Sequence, residues 1–90
     1  MHEKKTYHQE KHFKEVLGLL GLKDLFVRQT GPKSFILTFP HPHQDMEYVL
    51  SSYRDRKQPR EFADLGRCVQ FALNLGVTSI HFRLLPGDAD

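Results

Sequence analysis

The chain has 90 residues, a formal net charge of +2 with its six histidines neutral, 39% hydrophobic and 27% charged residues. That is the balance of a soluble globular domain, with room for one core and not two. It excludes a polycation and a disulfide-framed scaffold, since Cys68 is the only cysteine and can make neither an internal bridge nor a thiolate metal cage. At this size, folding hides roughly 60–65% of the unfolded surface, so modest stability is expected unless a partner or second copy adds to it.

The opening run MHEKKTYHQEKH is polar and lacks the apolar centre of a secretion signal. No apolar stretch approaches the ~18 residues that a bilayer span needs. These features set the expectation of a cytoplasmic protein without a membrane partner. Residues 1–12 read as a polar, fraying arm, 13–85 as one domain, and 86–90 as an acidic tail.

Phe13, Val16, Leu17 and Leu20 follow the i, i+3, i+4, i+7 spacing of one helical face, and Gly21 supplies a stop. LFVRQT (25–30) predicts a strand, GPK (31–33) a turn, and SFILTF (34–39) a second strand closed by Pro40. The loop FPHPHQD (39–45) is stiffened by its two prolines, which bias Phe39 and His41 toward extended backbone. EYVLSSYRD (47–55) predicts a third strand with bulk on both faces, and REF (60–62) a short edge strand after the turn RKQP.

Asp64 is a suitable N-cap for a second helix with Leu65, Cys68, Val69, Ala72 and Leu75 on one face and Gly76 at its end. VTSIHFRLL (77–85) alternates cleanly, Ile80, Phe82 and Leu84 against Ser79, His81 and Arg83. The order αβββ(β)αβ predicts a two-layer α+β domain, with an antiparallel-rich sheet of four to five strands and both helices on one face. The other face would stay partly wet, free for a partner.

The residues that carry chemistry are few. His8 and His12 are four apart, a spacing that on a helical extension can place two imidazoles on one metal, and His41 and His43 flank Pro42. Together they are the weak candidates for a metal site, with no zinc-protease pattern and nothing to bring the two pairs together. Cys68 falls on an apolar helix face, where burial makes a thiol inert. Ser51 and Ser52 lack a nucleophile elbow, Asp45 and Glu47 border a strand, and the glycines form no phosphate loop. Neither an enzyme nor a cofactor is expected.

RDRKQPR (54–60) is the stronger feature, with four cations against one anion across a turn. Arg54, Arg56, Lys57 and Arg60, with His81 and Arg83 if the last strand lies nearby, are the candidate binding residues for phosphates or an acidic protein surface. Tyr48 and Tyr53 offer stacking platforms of the kind used by single-strand binders.

The segment YRDRKQPREFADLGRCVQFALNLGVTSIHFRL (53–84) resembles a strand, basic turn, P-R-E-F, helix and strand module of small plasmid- and phage-borne proteins, some of them partition-associated. The resemblance rests on Pro59, Arg60, Phe62, Leu65, Leu75, Gly76 and Val77, and covers about a third of the chain. It implies a non-enzymatic accessory protein of a mobile genetic element. Small inhibitors of host defence, such as anti-CRISPR proteins, are similar in size and economy of fold. The expected partner is a protein or nucleoprotein complex, with DNA or RNA as the alternative; a homodimer is compatible with the sequence.

Overall fold

A computed structural model of the chain describes residues 4–85. Strand β1 (Lys4–His8) leads into helix α1 (Glu10–Leu19), followed by β2 (Asp24–Gly31), β3 (Ser34–Pro40) and β4 (Met46–Leu50), then helix α2 (Leu65–Asn74) and β5 (Ser79–Arg83). The sheet order is β1-β4-β3-β2-β5. The β2/β3 and β3/β4 pairs are antiparallel, whereas β1/β4 and β2/β5 are parallel. Four strands therefore run one way, and only the central β3 opposes them.

That arrangement explains where the helices lie. Parallel strands cannot be joined by a tight turn and need a crossover. α1 carries the chain from β1 to β2, and α2 carries it from β4 to β5, each stepping in the same direction across the sheet. Crossovers of one hand between strands of one direction cover the same face. The core accordingly joins Phe13 and Leu17 of α1 with Cys68 and Ala72 of α2, over Leu25, Val27, Phe35, Leu37, Phe39 and Leu50. Phe13 and Phe39 meet edge to face at 5.0 Å, a geometry favoured by the ring quadrupoles.

The local signals at the helix ends act as the residue types predict. The Asp64 carboxylate accepts from the Gly66 N–H at 2.8 Å, and Gly21 and Gly76 take positive φ, 67° and 92°, where a Cβ would be strained.

The α+β class stands, but several boundaries move. Residues 4–8 are the edge strand β1, and residues 10–12 begin α1, so the described part of the expected arm is ordered. β1 is held by backbone pairing to β4 (Lys4↔Met46 through His8↔Leu50), a bond set that needs no apolar side chains; the lysines conceal it in the sequence and also shield the edge. The acidic tail lies outside the described residues. The sheet is mixed rather than dominated by antiparallel pairs, and the order is βαβββαβ.

The third strand ends at Leu50 and the last one spans 79–83. REF forms no edge strand: Phe62 exchanges both backbone hydrogen bonds with Phe35 (2.8 and 2.9 Å), beside β3 in the lane that β4 has left.

The face without helices is less wet than expected. Ile36, Thr38, Glu47 and Val49 are all buried there. Arg28 of β2 places Nη2 at 2.9 and 3.1 Å from the two carboxylate oxygens of Glu47 on β4. Ser51, also buried, is the one such side chain among the described residues whose polar atom has no hydrogen-bond partner.

Candidate interaction surfaces

The segment after β4 is a compact hairpin. Ser51 bridges to Pro59, the Ser52 N–H donates to Gln58 O (2.8 Å), and the Arg60 N–H donates to Leu50 O (2.9 Å). Its tip is wound by side chains: the Ser52 hydroxyl accepts from the Arg54 N–H (3.1 Å), and Asp55 Oδ1 accepts from the Lys57 N–H (2.9 Å). The local anion is thus turned onto backbone, a common use of Asp in turns. Arg54, Arg56 and Lys57 are exposed, and among the described residues none of them has a carboxylate within 4.0 Å.

Arg60 has a different role. Its guanidinium carbon lies 4.7 Å from the Phe71 ring centre, 5.1 Å from Phe62 and 5.2 Å from Tyr53. Nη1 is 3.9 Å from Glu10 Oε1. Arg60 therefore ties the base of the hairpin to both helices by cation–π contact and a long ion pair, and its charge is largely engaged within the fold.

His81 and Arg83 lie on the face without helices, at β5. The His81 ring stacks on Phe26 at 4.7 Å and 22°, and its Nε2 is 3.8 Å from Asp24 Oδ2, an ion pair only when the imidazole is protonated. Arg83 pairs in register with Arg28. Glu47 holds Arg28, while Arg83 sits 5.7 Å over the Phe26 ring. The dimple between Phe26, Arg28, Thr38, Pro40, Glu47 and Arg83 has about 40 Å³ of free space, the share of one or two waters and too small for a metabolite.

The six cationic candidates do not converge. Arg56 borders a groove with Tyr7, His8, Gln9 and His12 at the β1 edge. β5 is the opposite edge, four inter-strand spacings or roughly 19 Å away. One cluster is the hairpin tip, another is β5 with Phe26, and Arg60 belongs to the scaffold.

His8 and His12 come together as their spacing of four allows, but at a strand-to-helix corner rather than on one helix. His8 Nδ1 is 3.2 Å from His12 Nδ1, and His8 Nε2 is 3.0 Å from Thr6 Oγ1. Tyr48 lies 5.1 Å from the His8 ring and 6.1 Å from His41, so the two pairs flank one tyrosine. His41 Nδ1 accepts from the His43 N–H at 3.0 Å, which ties that imidazole to its own loop. Burial, with His12 adding to it, pushes the His8 pKa below its ordinary value. No group of three or more potential ligands is gathered among the described residues.

Cys68 is wholly buried, and burial pushes its thiol up to about 12, which removes the thiolate needed for nucleophilic work at neutral pH. Phe26, Arg28 and Glu47 were not among the expected site residues. The alternation of Phe26 and Arg28 against Leu25 and Val27 was the signal that could have found the first two.

The fold and these surfaces define a small single-domain α+β protein with a mixed five-stranded sheet and an exposed basic hairpin tip. Neither protein-family models, curated proteins nor solved structures match this chain. No helix among the described residues is long and apolar enough to cross a membrane.

Proposed function

We propose that this chain is a non-enzymatic accessory protein that binds an acidic macromolecular surface through the hairpin tip at Arg54, Arg56 and Lys57. The observation that carries the reading is the orientation of Asp55. Its carboxylate accepts from the Lys57 backbone at 2.9 Å, and among the described residues none of the three cations at the tip is ion-paired with it or with another carboxylate. Cations that lack an internal partner keep their charge for a ligand, and a rigid turn lowers the ordering cost of binding. The likeness of residues 53–84 to modules of plasmid- and phage-borne proteins favours a mobile-element context, in which the chain acts as an adaptor or an inhibitor of a host protein or nucleoprotein complex.

A second reading, direct binding of DNA or RNA, is favoured by Tyr53, which is 71% exposed beside Arg54 and is backed by Arg60. An exposed ring next to cations can stack on a base.

One experiment addresses both readings. Affinity capture from the native host with the untagged chain cross-linked to resin should retain a discrete complex that is lost on R54E/R56E/K57E. A mobility shift with single- and double-stranded nucleic acid at low salt tests the second reading, with affinity falling steeply as salt rises. No captured complex and no shift at low salt would end the proposal in both forms.

A further inference from the structure

We propose that His8 and His12 form a two-imidazole site for a borderline divalent transition-metal ion, such as zinc, nickel or copper(II), at the corner where β1 passes into α1. Imidazole nitrogens bind such ions at about 2.0–2.1 Å, so two of them stand roughly 3.3–3.4 Å apart across a tetrahedral angle and roughly 2.9 Å apart across a right angle. His8 Nδ1 and His12 Nδ1 stand 3.2 Å apart, between those limits. Both rings present the same nitrogen, and their planes are steeply inclined, at 85°.

The backbone builds this approach. His8 is the last residue of β1, Gln9 turns the corner in extended geometry (φ −69°, ψ 164°), and His12 is the third residue of α1. His8 is further held by Tyr48 on its other side, 5.1 Å between ring centres. The two ligands are therefore placed by a strand, a helix and a packed ring rather than by a loop.

The other nitrogen of His8 is already provided for. Nε2 lies 3.0 Å from Thr6 Oγ1; with its N–H donated to that hydroxyl, the lone pair stands on Nδ1 and accepts the N–H of His12 Nδ1. A bound ion would take the place of that shared proton, His12 then keeping its N–H on Nε2. A hydrogen bond of the kind made to Thr6 fixes the tautomer of metal-bound histidines. His41 makes the contrasting case, since its Nδ1 accepts from the His43 backbone and is committed elsewhere.

The site supplies two ligands. The remaining coordination positions open into the groove shared by Tyr7, Gln9 and Arg56, where water or a donor from a bound partner would complete the sphere. Arg56 brings positive charge to that groove, so it opposes the ion and keeps the affinity moderate. The two imidazoles would hold the ion whatever the hairpin tip binds.

The test is titration of untagged protein with zinc or nickel chloride by calorimetry at pH 7.5, with far-UV circular dichroism to confirm that each variant is folded. One ion per chain is expected, lost in His8→Ala and in His12→Ala and retained in the H41A/H43A variant. Thr6→Val, which keeps the shape but removes the hydroxyl, should weaken binding by about tenfold, and Arg56→Ala should tighten it. Copper(II) loaded at one equivalent should show coupling to two imidazole nitrogens in its electron paramagnetic resonance spectrum. No uptake by the folded wild-type chain, or uptake that survives H12A, would overturn the site; so would a copper spectrum with a single nitrogen.

Discussion

Arg28 on β2 reaches diagonally over the central strand and contacts both carboxylate oxygens of Glu47 on β4, at 2.9 and 3.1 Å. Glu47 is only 6% exposed, whereas the Arg28 side chain keeps 27% of its surface. The two partners are therefore not equivalent. Removing the arginine strands a buried carboxylate; removing the carboxylate lets the arginine turn to water. Arg28→Met should cost about 2–4 kcal/mol, and Glu47→Gln about 1–2 kcal/mol. Urea denaturation of both variants checks the order, and equal losses would show that the pair is symmetric in effect.

The hairpin cations should separate by function. Arg60→Ala removes contacts with three rings and with Glu10, and should cost about 1–2 kcal/mol. Arg54→Ala, Arg56→Ala and Lys57→Ala should each stay within about 0.5 kcal/mol of the parent. Thermal melts, combined with binding assays on the same variants, would reveal whether stability and binding divide at Arg60.

Ser51 is 3% exposed and its hydroxyl has no hydrogen-bond partner. An unsatisfied buried hydroxyl is a liability of about 1–3 kcal/mol. Ser51→Ala should therefore be neutral or stabilising, up to about 1 kcal/mol, and Ser51→Val should overpack the site and destabilise. A lower urea midpoint for Ser51→Ala would mean that the hydroxyl is satisfied in solution.

Cys68 should be unreactive while the chain is folded. At pH 8, thiol reagents should label it only in denaturant. Its pKa is 9.0 in an ordinary setting and is pushed up to about 12 in the core. Above 9.0 the unfolded chain ionises first and holds fewer protons, so stability falls as pH rises through the window from 9.0 to about 12, and is unaffected by this group below it. Cys68→Ala should flatten that alkaline slope, which pH-dependent denaturation would measure.

The elements that were legible in the sequence are those with a strong local pattern. The face of α1 set by Phe13 and Leu17, the strand SFILTF and the Asp64 cap all follow from spacing and residue chemistry over a few positions. The basic tip was legible as well, because four cations in seven residues need no fold to be seen. What escaped was β1, whose KKTYH carries no apolar alternation, and the sorting of Arg60 from Arg56. Both depend on which distant segment lies alongside.

Sequence by itself determined the α+β class, the helix boundaries near glycine and aspartate, and the presence of a charged turn. These rest on backbone preference and on the periods of helix and strand, which act within a few residues. Only the tertiary structure decided that β1 caps the edge at β4, that Arg28 meets Glu47 across β3, and that His8 and His12 share a corner with Arg56. Those contacts depend on strand order and crossover path, which bring together residues such as Arg28 and Glu47 that no local pattern links.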